Sequence, residues 1–398
     1  MGLEPRGACP EPRAMEPVAI GILGCGHVSD QYLRGCSLFD GLRLDACADI
    51  DVERARRKAD QYGVPKACSP SDLLVDAEVE LVVNLTPPLE HARVTTEAIR
   101  RGKHVWSEKP LAATPDEARM VLAAARECDR RVGCAPDTFL APGLQTAARL
   151  VEDGWIGDPV AAVAFVSERG YEHFHPAVDA FYGPAGGPAL DLGPYYLTAL
   201  VAMLGPVKRV AAVARATFPH RTIPTGARRG ERIPVEVPTH VAGVLELESG
   251  VPVNLLTSWD IWSTHLPYLE VYGSDGSVSL PNPDEYDGLP QLRKAGSAEL
   301  RQPPPPPGSL SWATMPPAYG SHVERGIGVA DMAHAIRTEQ PHRAGAELAY
   351  HVLEVLTALS VSSRERRHVE IESRCERPVA VDPGDGWLPT LAAGPACA

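Results

Sequence analysis

Short apolar runs alternate with longer amphipathic runs from Val18 to about Asp137. VAIGILG (18–24) and VELVVNLTP (79–87) hold apolar residues in near-continuous sequence, the pattern of strands buried on both faces. LRLDACAD (42–49), KHVWSEKP (103–110) and RRVGCAPD (130–137) read as further strands. Helical runs fall between them: one ending near Phe39, then DVERARRKADQYG (51–63), EHARVTTEAIRRG (90–102) and TPDEARMVLAAARECD (114–129). Gly63 and Gly102 are C-terminal stops, and Thr114, Pro115 and Glu117 form a capping box. Strands alternating with helices of this length predict a doubly wound parallel α/β sheet.

Beyond Asp137 strand-like runs follow one another with few helices: 159–168, 207–217, 238–249, 251–259, 266–274 and 276–281. LESGVPVNLL and YGSDGSVSLP carry turn dipeptides between alternating runs, which is hairpin chemistry. Helical segments are expected at 138–153, 191–204, 326–338 and 345–360. This half predicts an α+β unit with a mostly antiparallel or mixed sheet. The reading divides the chain into a tail (1–16), a dinucleotide-binding domain (17–137), a second domain (138–383) and a tail (384–398). The proline run at 301–309 reads as an extended surface loop.

Composition narrows the function. The 398 residues suit two domains, and a formal charge of −13 argues against nucleic acid and anionic membrane as partners. No apolar run is long enough for a membrane span, and the N-terminus lacks a signal-peptide core. Nine scattered cysteines without a CxxC pair fit free thiols in a reducing cytoplasm, with no metal site.

The candidate chemistry begins at GILGCGHVSDQYL. Gly24, Gly26 and Ser29 stand between a strand and a helix, with His27 and Val28 opening the helix. Such a loop lets backbone approach a pyrophosphate while the helix N-terminus offers free N–H groups. Asp49, 23 residues beyond Gly26, ends the second strand, where a carboxylate binds a ribose 2′-OH and repels a 2′-phosphate. NAD is therefore expected over NADP, although Arg54 lies near enough to attract a 2′-phosphate.

EKP at 108–110, TPPLEHA after the third strand and GGPALDLGPYYLTAL at 186–200 together resemble the Gfo/Idh/MocA oxidoreductases. The resemblance covers about residues 18–380. It implies a Rossmann domain followed by a domain whose open sheet has one face over the nicotinamide and the other used for homo-oligomerisation, as dimer or tetramer. It assigns Lys109 and Asp191 as catalytic and places Tyr195 where the family usually has histidine. On spacing alone Asp191 also fits a helix cap and Tyr195 core packing.

If one helix carries Asp191 and Tyr195, four residues apart, they share a face. A nearby Lys109 ammonium would lower the phenol's pKa towards that of a useful base. Thr86, Pro87, His91, Glu108 and Lys109 are expected beside the cofactor, with Asp137, His173 and His175 on the substrate side. The two histidines would share one side of a strand. Trp259 and Asp260 fit sheet packing better than pocket lining, and Arg325 precedes a helix as a substrate contact or a surface ion pair. The expected activity is NAD(P)-dependent hydride transfer at a secondary hydroxyl or ketone of a sugar, amino sugar or cyclitol. Alternatives are an NAD-recycling elimination or glycoside-cleaving enzyme, or a non-catalytic sugar-sensing regulator.

Overall fold

Six parallel strands make the first sheet in the order β3-β2-β1-β4-β5-β6. The computed structural model describes residues 15–175, 178–295, 312–320, 322–382 and 384–389. The proline run, most of the N-terminal tail and residues 390–398 lie outside the described residues. The elements are β1 (Val18–Leu23), α1 (Ser29–Cys36), β2 (Leu42–Ala48), α2 (Val52–Tyr62), β3 (Lys66–Cys68), α3 (Pro70–Val75), β4 (Leu81–Asn84), α4 (His91–Arg100), β5 (His104–Ser107), α5 (Pro115–Glu127) and β6 (Val132–Cys134). Every residue of β1 and β4 is buried, as their unbroken apolar runs require. Gly63 closes α2 in a left-handed conformation (φ +69°). Thr114 caps α5, and Glu117 reaches back to the Ala113 N–H at 3.0 Å.

Strand β3 and helix α3 are additions to the expected elements. A three-residue edge strand leaves no periodicity to read, and Ser69 caps α3 by accepting from the Asp72 N–H immediately afterwards.

The second sheet has nine strands in the order β16-β15-β14-β13-β7-β12-β11-β8-β17. The elements of this half of the chain are α6 (Pro142–Glu152), β7 (Pro159–Ser167), α7 (Asp179–Tyr182), α8 (Pro188–Asp191), α9 (Gly193–Leu204), β8 (Val207–Arg215), β9 (His220–Thr222), β10 (Arg232–Pro234), β11 (His240–Leu247), β12 (Pro252–Ser258), β13 (Leu269–Gly273), β14 (Gly276–Leu280), β15 (Gln291–Lys294), β16 (Ala313–Thr314), α10 (Ile327–Thr338), α11 (Ala346–Glu365) and β17 (Val369–Glu370). Strands β9 and β10 form a separate ribbon. Strand β7 pairs parallel with β12, and the other pairs are antiparallel. The expected hairpins are β11–β12 and β13–β14. Helix α11 packs on one face, where Gly243 meets Leu359; on the other, Val213 and Val244 are exposed. No helix among the described residues is long and apolar enough to cross a membrane.

The chain then returns to the first sheet. A Cβ on Gly35 of α1 would lie 1.9 Å from the Arg325 carbonyl oxygen, so only glycine admits that approach. Gly328 of α10 is pressed as closely against Trp106 of β5. These contacts fix the segment 324–328 against α1 and β5.

Candidate active site

The strand order reverses between β1 and β4, which puts a crevice at the carboxyl ends of β1, β4 and β5. Gly24 lies at φ +103°, and a Cβ there would meet the Leu85 carbonyl oxygen at 2.7 Å. A Cβ on Gly26 would meet nothing within 4 Å, so this backbone faces open space. Ser29 Oγ donates to the Gly26 carbonyl at 2.6 Å, which ties the turn to the helix. Helix α1 begins without a side-chain cap; its Ser29 and Gln31 N–H groups donate to the Gly26 and Val28 carbonyls at 3.3 and 3.0 Å, and the positive end of its dipole faces the loop, where an anion is favoured. His27 is exposed and Val28 half-buried at this entrance. These residues fit a dinucleotide.

Asp49 is buried just past β2. Its carboxylate accepts from the Cys25 N–H at 2.8 Å and the Asp51 N–H at 2.9 Å, and Arg54 lies 3.6 Å away. It therefore braces the glycine loop directly. Asp51, not Asp49, caps α2.

Lys109 follows β5, and the Lys109–Pro110 peptide is cis. Its Nζ donates to Asp191 Oδ1 at 2.7 Å and to the Asp191 carbonyl at 2.6 Å. An ammonium has three donors, so one remains for a ligand. Burial works against the charge, but Asp191, Tyr195 and Glu108 raise the Lys109 pKa above its ordinary value, so it stays protonated. Tyr171 also hydrogen-bonds to Asp191.

Asp191 and Tyr195 do not share one helix. Helix α8 ends at Asp191 and α9 starts at Gly193, with Leu192 between. Pro194 has no N–H to continue a helix through that point. Both residues still reach Lys109, whose Nζ sits 5.3 Å from the Tyr195 ring centroid. The ammonium thus lies over the ring, while the hydroxyl accepts from Arg325 Nη2 at 3.2 Å and hydrogen-bonds to Asp284. Burial pushes the Tyr195 phenol up to about 12, against the opposing pull of Lys109 and Arg325. The expected lowering does not occur, because desolvation of the phenolate outweighs both cations.

Glu108 is buried and fully engaged. It accepts from Tyr32 at 2.9 Å, Arg325 Nη1 at 2.7 Å and the Lys109 N–H at 2.9 Å. Burial alone would raise this carboxyl, yet Arg325 and Lys109 hold it below the usual carboxylate range. His91 is buried too, with Nδ1 2.6 Å from the Pro110 carbonyl and Nε2 2.7 Å from the Thr86 carbonyl. It clamps the loop after β4 to the loop after β5. Thr86 donates its N–H and hydroxyl to Asn84 Oδ1 at 3.2 and 2.7 Å, and Pro87 is exposed.

Asp137, expected to line the pocket, is spent on structure. It accepts from Tyr286 and from the N–H groups of Gly326 and Gly328, at 3.0 and 2.9 Å, at the start of α10. His173 and His175 are not on a strand: residues Tyr171–His173 form a 3₁₀ turn. His173 lies beside Trp262, whereas His175 packs on Phe181 and senses the charges of His27 and Asp191. His175 is thus close to the glycine loop and to Asp191. Trp259 is fully buried and Asp260 is paired with Arg221, a packing role as expected. No group of His, Cys, Asp and Glu among the described residues could hold a metal ion.

Arg325 and Asp284 complete the cluster. Sequence reasoning left Arg325 open and passed over Asp284, since no local pattern marks a residue that enters a site from a distant loop.

Two family models match the chain: "Oxidoreductase family, NAD-binding Rossmann fold" at residues 18–135 and "GFO/IDH/MocA C-terminal domain" at 144–279. A D-apiose dehydrogenase of Paraburkholderia graminis is 24% identical over 380 residues, covering 92% of this chain and 93% of that protein. A D-xylose 1-dehydrogenase (NADP(+)) of Haloferax volcanii is 27% identical over 332 residues, covering 82% and 91%. The solved structure of levoglucosan dehydrogenase in complex with NADH and L-sorbose has the same fold: TM-score 0.76 at 18% identity, over 90% of this chain and 100% of that one. The chain belongs to the Gfo/Idh/MocA family of oxidoreductases, with an NAD(P)-binding Rossmann fold.

Proposed function

We propose that the protein is a sugar-type dehydrogenase that transfers hydride between nicotinamide and a secondary hydroxyl or ketone of a sugar, amino sugar or cyclitol. The observation that carries this is the Lys109 ammonium, locked to Asp191 at 2.7 Å over the Tyr195 ring, at the carboxyl end of β5 beside the glycine loop. The names of the relatives, an apiose and a xylose dehydrogenase among them, support the substrate class.

Gly24, Gly26, His27 and Val28 would hold the pyrophosphate, with Thr86 and Pro87 along the crevice. A bound nicotinamide dinucleotide supplies the two-electron acceptor. Lys109 directs its remaining N–H at the substrate oxygen and stabilises charge growing there. Asp191 fixes the ammonium, and Glu108 and His91 hold the backbone that carries it. Tyr195, a protonated phenol, presents its hydroxyl oxygen to the substrate hydroxyl, and His175 contacts substrate at the mouth. Asp49 supports NAD over NADP, because a 2′-phosphate would approach a buried carboxylate already satisfied by backbone. The seven described cysteines are free thiols, which fits a reducing cytoplasm. The exposed Val213 and Val244 support a homo-oligomer through the open face of the large sheet.

The test is a panel of sugars, amino sugars and cyclitols, with NAD and NADP in parallel, followed by absorbance of the reduced nicotinamide. Net reduction with a panel member, faster with NAD, is expected. Product formed without net reduced nicotinamide would replace this reading with a recycling enzyme, and binding without turnover would replace it with a sensor.

A further inference from the structure

We propose that Asp284 is the terminal proton acceptor of this site, taking the Tyr195 hydroxyl proton as Tyr195 takes the proton of the substrate hydroxyl. The inference rests on the dehydrogenase reading and adds a residue that reaches the site from the loop between β14 and β15.

That loop is pinned on both sides of Asp284. Tyr196 donates to Asn282 Oδ1 at 3.2 Å, and the Asp284 N–H donates to the same oxygen at 3.2 Å. Asn282 Nδ2 in turn donates to Glu285 at 3.2 Å. Tyr286 donates to Asp137, and the Gly288 carbonyl packs so closely on α6 that a Cβ on Gly143 would lie 2.1 Å from it. Asp284 is thus held with its carboxylate on the Tyr195 hydroxyl. Among the described residues, the charged and titratable groups facing it are Lys109 after β5, Asp191 of α8, Arg325 before α10, Glu168 after β7, and the phenols of Tyr171, Tyr195 and Tyr196.

Tyr195 alone cannot be the base, with its phenol pushed up to about 12. Burial pushes the Asp284 carboxyl up to about 6, with Asp191 adding to the rise and Lys109, Arg325 and the Tyr195 bond restraining it. An acceptor that titrates near neutrality suits proton transfer in either direction. In oxidation the substrate O–H breaks as a new Tyr195 O–H forms. The original Tyr195 O–H breaks as an Asp284 O–H forms. When bound, an oxidised nicotinamide would supply the acceptor for the C–H hydrogen and its electron pair as C=O forms at the carbon. Asp284 goes from anion to neutral acid, then returns its proton to solvent. Acting through Tyr195, Asp284 is a positioning residue and proton store; it does not itself touch the substrate.

The experiment uses the full chain with Asp284→Asn and Asp284→Glu. Infrared difference titration without cofactor or substrate should show a carboxyl titrating near pH 6 that Asp284→Asn lacks. On a substrate found by the panel, wild-type oxidation should rise through about pH 6. Asp284→Asn should be at least about tenfold slower, with that limb gone, while Asp284→Glu restores it and cofactor affinity stays unchanged in both. A limb that persists in Asp284→Asn, or a carboxyl signal that is missing in wild type or kept in the variant, overturns the proposal. If no panel compound turns over, the dehydrogenase reading fails, while the infrared titration still decides whether Asp284 titrates as required.

Discussion

Tyr195 shows how environment decides a residue's role. Two cations lie beside it, yet the buried phenol keeps its proton. Its use is therefore to donate a hydrogen bond or pass a proton on. Tyr195→Phe removes only the hydroxyl and should lower turnover about 10²–10⁴-fold with the fold intact, measured as turnover rate alongside thermal unfolding. A similar count of donors and acceptors applies at Asp49. Asp49→Ala leaves the Cys25 N–H without its acceptor and loosens the glycine loop, so NAD affinity should fall. Fluorescence quenching checks this, and unchanged affinity would reject the assignment. Lys109 and Asp191, which the structure pairs, were legible as candidates because each sits in a local motif. Asp137 was misplaced because position after a strand says nothing about the N–H groups of Gly326 and Gly328 that occupy it.

At the scale of elements, long periodic runs were read well and short ones were not. The apolar run of β1 and the capping box of α5 announce themselves, whereas β3 has three residues. The break between α8 and α9 was signalled by Pro194, but the four-residue spacing masked it. Close packing of α10 on β5 is invisible locally, because it depends on what Gly328 faces. A Cβ there would lie 2.1 Å from the Trp106 ring, so Gly328→Ala should destabilise by about 1–3 kcal/mol or more. Since α10 follows directly on Arg325, the same variant should also lower turnover. Denaturant unfolding and steady-state kinetics measure both effects.

Over the whole molecule, the Glu108 cluster joins α1 through Tyr32, the loop after β5 through Lys109, and the segment before α10 through Arg325. The folded-state pKa of Glu108 is depressed, so the protein binds that proton less readily folded than unfolded. Its stabilisation is complete above the ordinary glutamate pKa and is lost as pH falls through the folded value. Thermal unfolding should therefore show a wild-type advantage over Glu108→Gln near neutrality that narrows in acid; a constant gap would contradict this. The open sheet face should behave as an interface: Val213→Lys is expected to shift size-exclusion and light-scattering mass towards monomer. Both sheets were legible as patterns, but the return of the chain at residues 324–328 to complete the site was not, because such contacts depend on the folded whole.

In the proposed mechanism Lys109, held by Asp191 over Tyr195, acts on the substrate and not on the cofactor's binding. Lys109→Ala tests it most directly, with nicotinamide affinity and the rate of nicotinamide reduction measured on the same preparation. The rate should fall by about 10² or more, with affinity within about threefold of wild type. An unchanged rate, or a loss confined to cofactor affinity, would contradict it.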